Sequence, residues 1–267
     1  MCAFFNVSCS GYYSWLNRKP SKRDIANKDL DQKIKVIFEA NKYRYGAPRI
    51  TEALKAQHDS YSLNRIARRM NKMHLKAIAK KKFKVTTDSE HTKPTYENIL
   101  NRDFTTTTIN QKWCSDISYV KTDEGWMYLA VVIDLYSRAV IGWSMESRMT
   151  KELVCSALIM ALFKRKFPVG VIVHSDRGSQ YCSDKYRKLI KDNKLIGSMS
   201  RKGNCWDNAI AESFFHTLKV ELVHENKYKT REEAKSSIFR YIEQYYNRTR
   251  LHSTLDYKAP IDVELAI

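Results

Sequence analysis

Hydrophobic positions follow two different periods along this chain. In the N-terminal third they recur at helical spacing. The stretch DIANKDLDQKIKVIFEANKYRYG predicts a helix ending near Gly46, and APRITEALKAQ a second with Pro48 in its first turn. SLNRIARRMNKMHLKA predicts a third, capped by Ser62. Leu63, Ile66, Ala67 and Met70 form its apolar stripe, while Arg65, Arg68, Arg69 and Lys72 lie mostly off it. Two short helices with a basic second one suggest a helix-turn-helix, so residues 1–85 read as a small, basic, helical DNA-binding region. Residues 86–110 lose the period, collect Thr and Asp around Pro94, and are expected to be a linker. Beyond them the pattern changes. QKWCSDISYVKT, GWMYLAVVIDLYSR and AVIGWSMES read as three strands joined by short turns. KELVCSALIMALFKRK is an apolar helix, VGVIVHSD a fourth strand, SDKYRKLIKDN a helix and IGSMS a short fifth strand. Helices follow from about Asn208 and from about Thr230 to Asn247. Three consecutive strands, then alternating helices and strands, make residues 111–267 an α/β domain: a five-stranded mixed sheet flanked by helices, with a C-terminal helical extension.

Composition narrows the partners. At 267 residues and 43% hydrophobic the chain supports a globular core. Its net charge is +18, and residues 1–100 hold 21 Lys and Arg against 9 Asp and Glu, with 26 against 20 in the remainder. Such a bias points to a polyanion. The longest apolar stretch, from Leu153 to Phe163, is too short to span a bilayer, and polar residues break any signal-peptide core near the start. Nucleic acid is therefore the better polyanion, and no membrane contact is expected. The six cysteines contain no C-x-x-C pair, which argues against zinc fingers and a disulfide framework and fits a reducing cytoplasm.

The candidate chemistry is carried by carboxylates. Asp116 sits inside the first strand, where a charge is costly unless paired or metal-bound. Asp176 ends the fourth strand, and Glu212 lies on the helix WDNAIAESFFHTLKVEL with 35 residues between the two. If the first and fourth strands are neighbours, the three converge. Three carboxylates without a His or Cys partner suit a hard ion such as Mg²⁺ or Mn²⁺. Two such ions would serve both the attacking and the leaving oxygen of a phosphodiester. Asn208, His216 and Lys219 share the Glu212 face at helical spacing and would suit DNA beside the metals; an ordinary polar helix face is the plainer reading of that stripe.

WCSDISYV, VIVHSDRGSQY, SRKGNCWDNAIAESFFHTLKVEL and YYNRTRLHSTLDYKAP resemble, in order, the blocks of the catalytic frame (orfB type) of insertion-sequence transposases in the insertion-sequence-three (IS-three) family, relatives of retroviral integrases in the DDE superfamily. VSCSGYYSWLNR, YGAPRI and NRIARRMNKMHLKA are similar to that family too, so the resemblance covers nearly the whole chain. It implies an RNase H-like core that cuts a transposon end and joins it to target DNA. Water attacks first and exposes a 3′-hydroxyl, which then attacks a second phosphodiester. It also implies that Asp116, Asp176 and Glu212 ligate the metals and that Lys219 contacts the DNA end. The resemblance further implies a homo-multimer on paired ends, a bacterial cytoplasmic setting at the nucleoid, and an upstream-frame protein as partner or fusion, since in that family the upstream frame supplies the end-reading helix-turn-helix and a leucine zipper, and no sustained heptad repeat occurs here.

Other residues have plainer readings beside sharper ones. Asp134 is a rival carboxylate that would cap a turn or pair with Arg138, and Asp207 is expected to cap the Glu212 helix. Glu221 points away from Glu212. Trp206 would stack on a base or pack, His174 would shape the strand end or touch DNA, and Arg250 in the C-terminal block would meet the DNA backbone. The alternatives to a transposase are a nuclease of the same fold that does not join DNA, and a non-catalytic DNA-binding regulator.

Overall fold

The computed structural model describes residues 2, 4–78, 94–201 and 205–267, without the side chains of residues 205 and 206. It divides into two compact units, Met1–Ala79 and Lys80–Ile267.

The first unit holds four helices: α1 (Cys9–Leu16), α2 (Lys22–Ala40), α3 (Ala47–Ala56) and α4 (Leu63–Lys72). The hydrophobic pattern did not predict α1, and none of its residues is buried. Helix α2 starts at a capping box between Ser21 and Asp24. It stops six residues short of Gly46, because Lys42 and Tyr43 take left-handed backbone at φ 51° and 62°. Pro48 stands in the first turn of α3 as expected, and the Ser62 hydroxyl accepts the Arg65 N–H at 3.3 Å to open α4. Leu30, Ile34 and Phe38 of α2, Ile50 and Leu54 of α3, and Ile66 and Met70 of α4 make the small core. Leu63 departs from the expected stripe. It is the first residue of α4 and remains exposed.

The second unit is built on β1 (Lys112–Thr122), β2 (Gly125–Asp134), β3 (Val140–Glu146), β4 (Ile172–Ser175) and β5 (Ile196–Met199). Strands β1 to β3 form an antiparallel meander; β4 then pairs parallel to β1, and β5 parallel to β4, in the order β3-β2-β1-β4-β5. Helices α5 (Lys151–Lys164) and α6 (Asp184–Asp192) cover one face, where Trp113, Val132, Leu158 and Tyr186 pack together. On the other face α7 (Ala209–Glu221) and α8 (Arg231–Phe239) bury Phe214, Leu218 and Ile238 against Cys114, Leu129 and Val131.

Helix α5 lies so close to β3 that a Cβ on Gly142 would sit 2.2 Å from the Ala157 carbonyl oxygen. Gly142→Val is expected to cost about 3 kcal/mol or more, since two backbones would have to part. A lowered urea midpoint of the purified variant checks this.

Two expectations change on this face. The long helix from Thr230 to Asn247 is α8 followed by a π-helical turn, Arg240–Tyr246. The wider turn brings Tyr241, Ile242 and Tyr246 all to the core. Part of the expected linker also belongs to the sheet unit. Tyr96 presses on Gly197, Ile99 and Leu100 donate their N–H groups to the Ser198 hydroxyl at 3.0 and 3.1 Å, and Leu100 is buried. This segment covers the β5 edge; residues 86–93 lie outside the described residues. At the opposite edge the Asn247 amide exchanges two hydrogen bonds with the Val140 backbone, each 2.9 Å. Helix α9 (Pro260–Leu265) then closes the chain, with Glu264 accepting from Ser137 and paired with Arg165. Among the described residues no helix is long and apolar enough to cross a membrane.

Candidate active site

Strand register brings the first two carboxylates to one level. Cys114 of β1 pairs with His174 of β4 in parallel, so Asp116 and Asp176, each two residues further on, lie side by side where the strands end their pairing. Side chains alternate along a strand, so Asp116 shares the face of Cys114, the face that α7 covers. Asn208, just before α7, donates its amide to the Ser115 carbonyl oxygen at 3.2 Å. That bond fixes the start of α7 beside Asp116, with Glu212 in its first turn.

Local bonds hold each aspartate. Asp116 accepts the Ile117 N–H at 2.8 Å, and Asp176 accepts the Gly178 N–H at 2.9 Å. A Cβ on Gly178 would stand 3.0 Å from that Asp176 oxygen, which gives the glycine of HSDRG a reason. Burial pushes the Asp116 carboxyl well above the usual range, and the charges of Asp176 and Glu212 push it further. Burial and Asp176 also raise Glu212. Lys219 faces the cluster from two helical turns along α7. Burial lowers its pKa while Asp116 raises it, and its ammonium lies 4.8 Å from the centre of the Tyr119 ring.

Among the described residues no three acidic, His or Cys side chains are drawn close enough to cage a metal ion. Three carboxylates within range of one another's charge repel, and a divalent cation relieves that repulsion. Oxygen donors alone, all carboxylate, fit Mg²⁺ or Mn²⁺. The electrostatics make a prediction for the metal-free protein. A carboxyl whose folded pKa lies above 3.8 contributes stability below 3.8 and loses it as the pH rises through the folded value. Asp116→Asn is therefore expected to raise the melting temperature in chelator at neutral pH, and its advantage should shrink as the pH falls toward 3.8. Parallel thermal melts across pH check it.

The other expected site residues are dispersed. His216 is half-buried on α7. Asn208 is buried, and its amide nitrogen donates to the Ser115 carbonyl, which makes it an anchor of α7. Lys219 is only 8% exposed, so its place is beside Asp116 and inside the surface. The Trp206 side chain lies outside the described residues. Arg250 is buried at 5% exposure, with its guanidinium on Glu221 at 2.8 Å; the fold uses it inside the core in place of the expected backbone contact. In the first unit Arg69 is paired with Asp31 of α2, and Arg65 donates to Asn27 at 3.1 Å, leaving Arg68 as the exposed member of the three.

Asp134 caps the turn after β2, accepting from the backbone of Asn110 and Tyr136 and from the Trp113 indole. His174 is fully buried between the Ser198 and Ser200 hydroxyls, and burial lowers its pKa to about 4. It shapes the strand end. Asp207 does not cap α7 with its side chain. It gathers Arg201, Arg102 and Asn98. Asn98 and Arg102 come from a distant segment, and no local pattern could have signalled them.

Comparison with known proteins agrees with this architecture. An HTH-like domain matches residues 24–83, and integrase core domains match residues 107–205 and 212–263. The chain is 49% identical over 255 residues to the transposase InsF for insertion sequence IS3A of Escherichia coli (strain K12), covering 95% of this chain and 88% of that protein. It is 44% identical to an uncharacterized 31 kDa protein of insertion element IS600 from Shigella sonnei, over 97% and 96% of the two. A simian T-cell lymphotropic virus intasome, solved in complex with PP2A regulatory subunit B56 gamma, contains a chain of the same fold. It aligns at TM-score 0.50 and 15% identity over 80% of this chain and 70% of that one.

Proposed function

Because the chain belongs to the IS3-family insertion-sequence transposases, InsF type with an integrase core, we propose that it cuts and joins DNA with Asp116, Asp176 and Glu212. Transposition and DNA integration are the family's activity. The observation that supports these three residues is the level of Asp116 and Asp176 on adjacent parallel strands, with Glu212 opening the helix over them.

The three carboxylates would hold Mg²⁺ or Mn²⁺ as two ions, which would supply positive charge to an attacking and a leaving oxygen. The chain's own part is orientation and charge. The N–H bonds from Ile117 and Gly178 aim the two aspartates, and the Asn208 bond sets the height of Glu212. Lys219 offsets part of the negative charge beside Asp116. No side-chain nucleophile is called for, because the same site serves water in the cutting step and a 3′-hydroxyl in the joining step.

Arg65, Arg68 and His216 are proposed DNA contacts, with the exposed Arg68 the strongest of them. The N-terminal unit and α7 would thus meet transposon ends and target, in a homo-multimer that pairs two ends, with the upstream-frame protein as partner or fusion. The experiment is strand joining on a labelled transposon-end duplex with Mg²⁺, using this chain alone and fused to its upstream frame. Joined product supports the transposase. Cleavage without joining supports a nuclease, and binding without either supports a regulator.

A further inference from the structure

Three arginines outside the set just described gather at the carboxyl end of β4 and β5. Arg177 follows Asp176 directly, and its Nε donates to the Ser200 carbonyl oxygen at 2.7 Å. The Ser200 N–H donates in turn to the Ser175 carbonyl at 2.9 Å, so the two strand ends are tied together. Arg201 comes next. It meets Asp207 through its backbone N–H at 2.9 Å, Nε at 3.0 Å and Nη2 at 2.9 Å. Arg102, from the segment along β5, gives its Nε to the same carboxylate at 2.9 Å, and Asn98 adds its amide at 2.9 Å.

The exposure is uneven. Asp207 is fully buried, while the Arg102 and Arg201 side chains are each 47% exposed. One buried carboxylate orients two guanidiniums and neutralises only one of them. Each guanidinium has five N–H donors, and those turned from Asp207 remain for a second acceptor. Arg177 adds a third positive charge next to Asp176. Planar, permanently charged and pre-oriented donors suit a phosphate oxygen pair better than mobile lysines do. Ligands of open parallel sheets also collect at the carboxyl ends of the strands.

We propose that Arg102, Arg177 and Arg201 form a phosphodiester clamp that holds the backbone of the DNA strand entering the carboxylate centre, without regard to base sequence. The clamp rests on the DNA-joining reading of that centre. Asp207 is its positioning residue.

The test is the salt dependence of DNA binding by the full chain, measured between about 50 and 200 mM salt on a transposon-end duplex and on a shuffled duplex of equal length. Arg102→Gln, Arg177→Gln and Arg201→Gln are each expected to flatten the slope of log affinity against log salt by about one on both duplexes, with Lys at the same position restoring it. Losing Arg102 leaves Asp207 to Arg201 and so changes the charge around both, and the Arg102→Gln/Asp207→Asn double variant must therefore show the same loss. Asp207→Asn alone keeps three guanidinium charges and must keep the slope, while the lost positioning weakens binding at every salt concentration. Unchanged slopes in the arginine variants, or an equal loss in Asp207→Asn alone, overturn the clamp. Wild-type strand joining beside unchanged slopes removes the clamp and leaves the transposase site standing. Slope loss in a chain that never joins DNA does the reverse.

Discussion

Glu212→Gln is expected to abolish strand joining, by about a thousandfold or more, while duplex binding stays near the wild-type level. A thousandfold corresponds to about 4 kcal/mol of transition-state stabilisation. The substitution is nearly isosteric, and Glu212 is exposed in the first turn of α7, so the helix has no reason to move. What changes is charge. Glu212 is one of three carboxylates, and desolvation first and their mutual repulsion second raise the Asp116 and Glu212 pKa values. A neutral amide lowers the affinity of the cluster for a divalent cation and removes a ligand from it. DNA contacts made elsewhere remain. A variant that bound the end duplex and joined it at the wild-type rate would remove Glu212 from the centre.

Arg250→Met is expected to destabilise the sheet unit by about 3–5 kcal/mol, the penalty for leaving one member of a buried ion pair alone. Arg250 and Glu221 are 5% and 8% exposed and share hydrogen bonds of 2.8 to 3.1 Å; Tyr241 adds its hydroxyl to Glu221 at 2.8 Å. Glu221 ends α7, so this network ties the C-terminal segment to the helix that carries Glu212. At this domain size the loss should lower Tm by roughly 10 °C. Adding Glu221→Gln should recover part of it, since no bare charge is then left inside. If Arg250 instead touched DNA, the variant would keep its melting temperature and flatten the salt slope of binding, and that outcome would contradict the structure.

The contrast between these residues explains what the sequence could and could not convey. Asp116 and Asp176 were legible because each breaks an apolar strand, and register turns that local interruption into adjacency. Ser62 and Pro48 were legible for the same reason: caps and first turns depend on neighbours three or four residues away. Arg250 was not, because its acceptor lies 29 residues back on α7, and an arginine in a basic, aromatic stretch looks like a DNA contact from its neighbours alone. Asp207 sits where a cap would sit, yet its partners come from residues 98, 102 and 201. Helix α1 escaped notice because it is two turns long and buries nothing, so no stripe marks it. The segment along β5 lacks periodicity for a similar reason: its bonds run to Ser198 and Asp207 instead of along itself.

The central claim is that Asp116, Asp176 and Glu212 act as one metal centre. The most direct measurement is Mn²⁺ bound to the full chain in the presence of a transposon-end duplex, followed by electron paramagnetic resonance for the wild type and for Asp116→Asn, Asp176→Asn and Glu212→Gln separately. The account predicts weaker Mn²⁺ binding in all three variants, with thermal unfolding still cooperative in each. Wild-type Mn²⁺ affinity in any one of them would take that residue out of the centre, and wild-type affinity in all three would contradict the account.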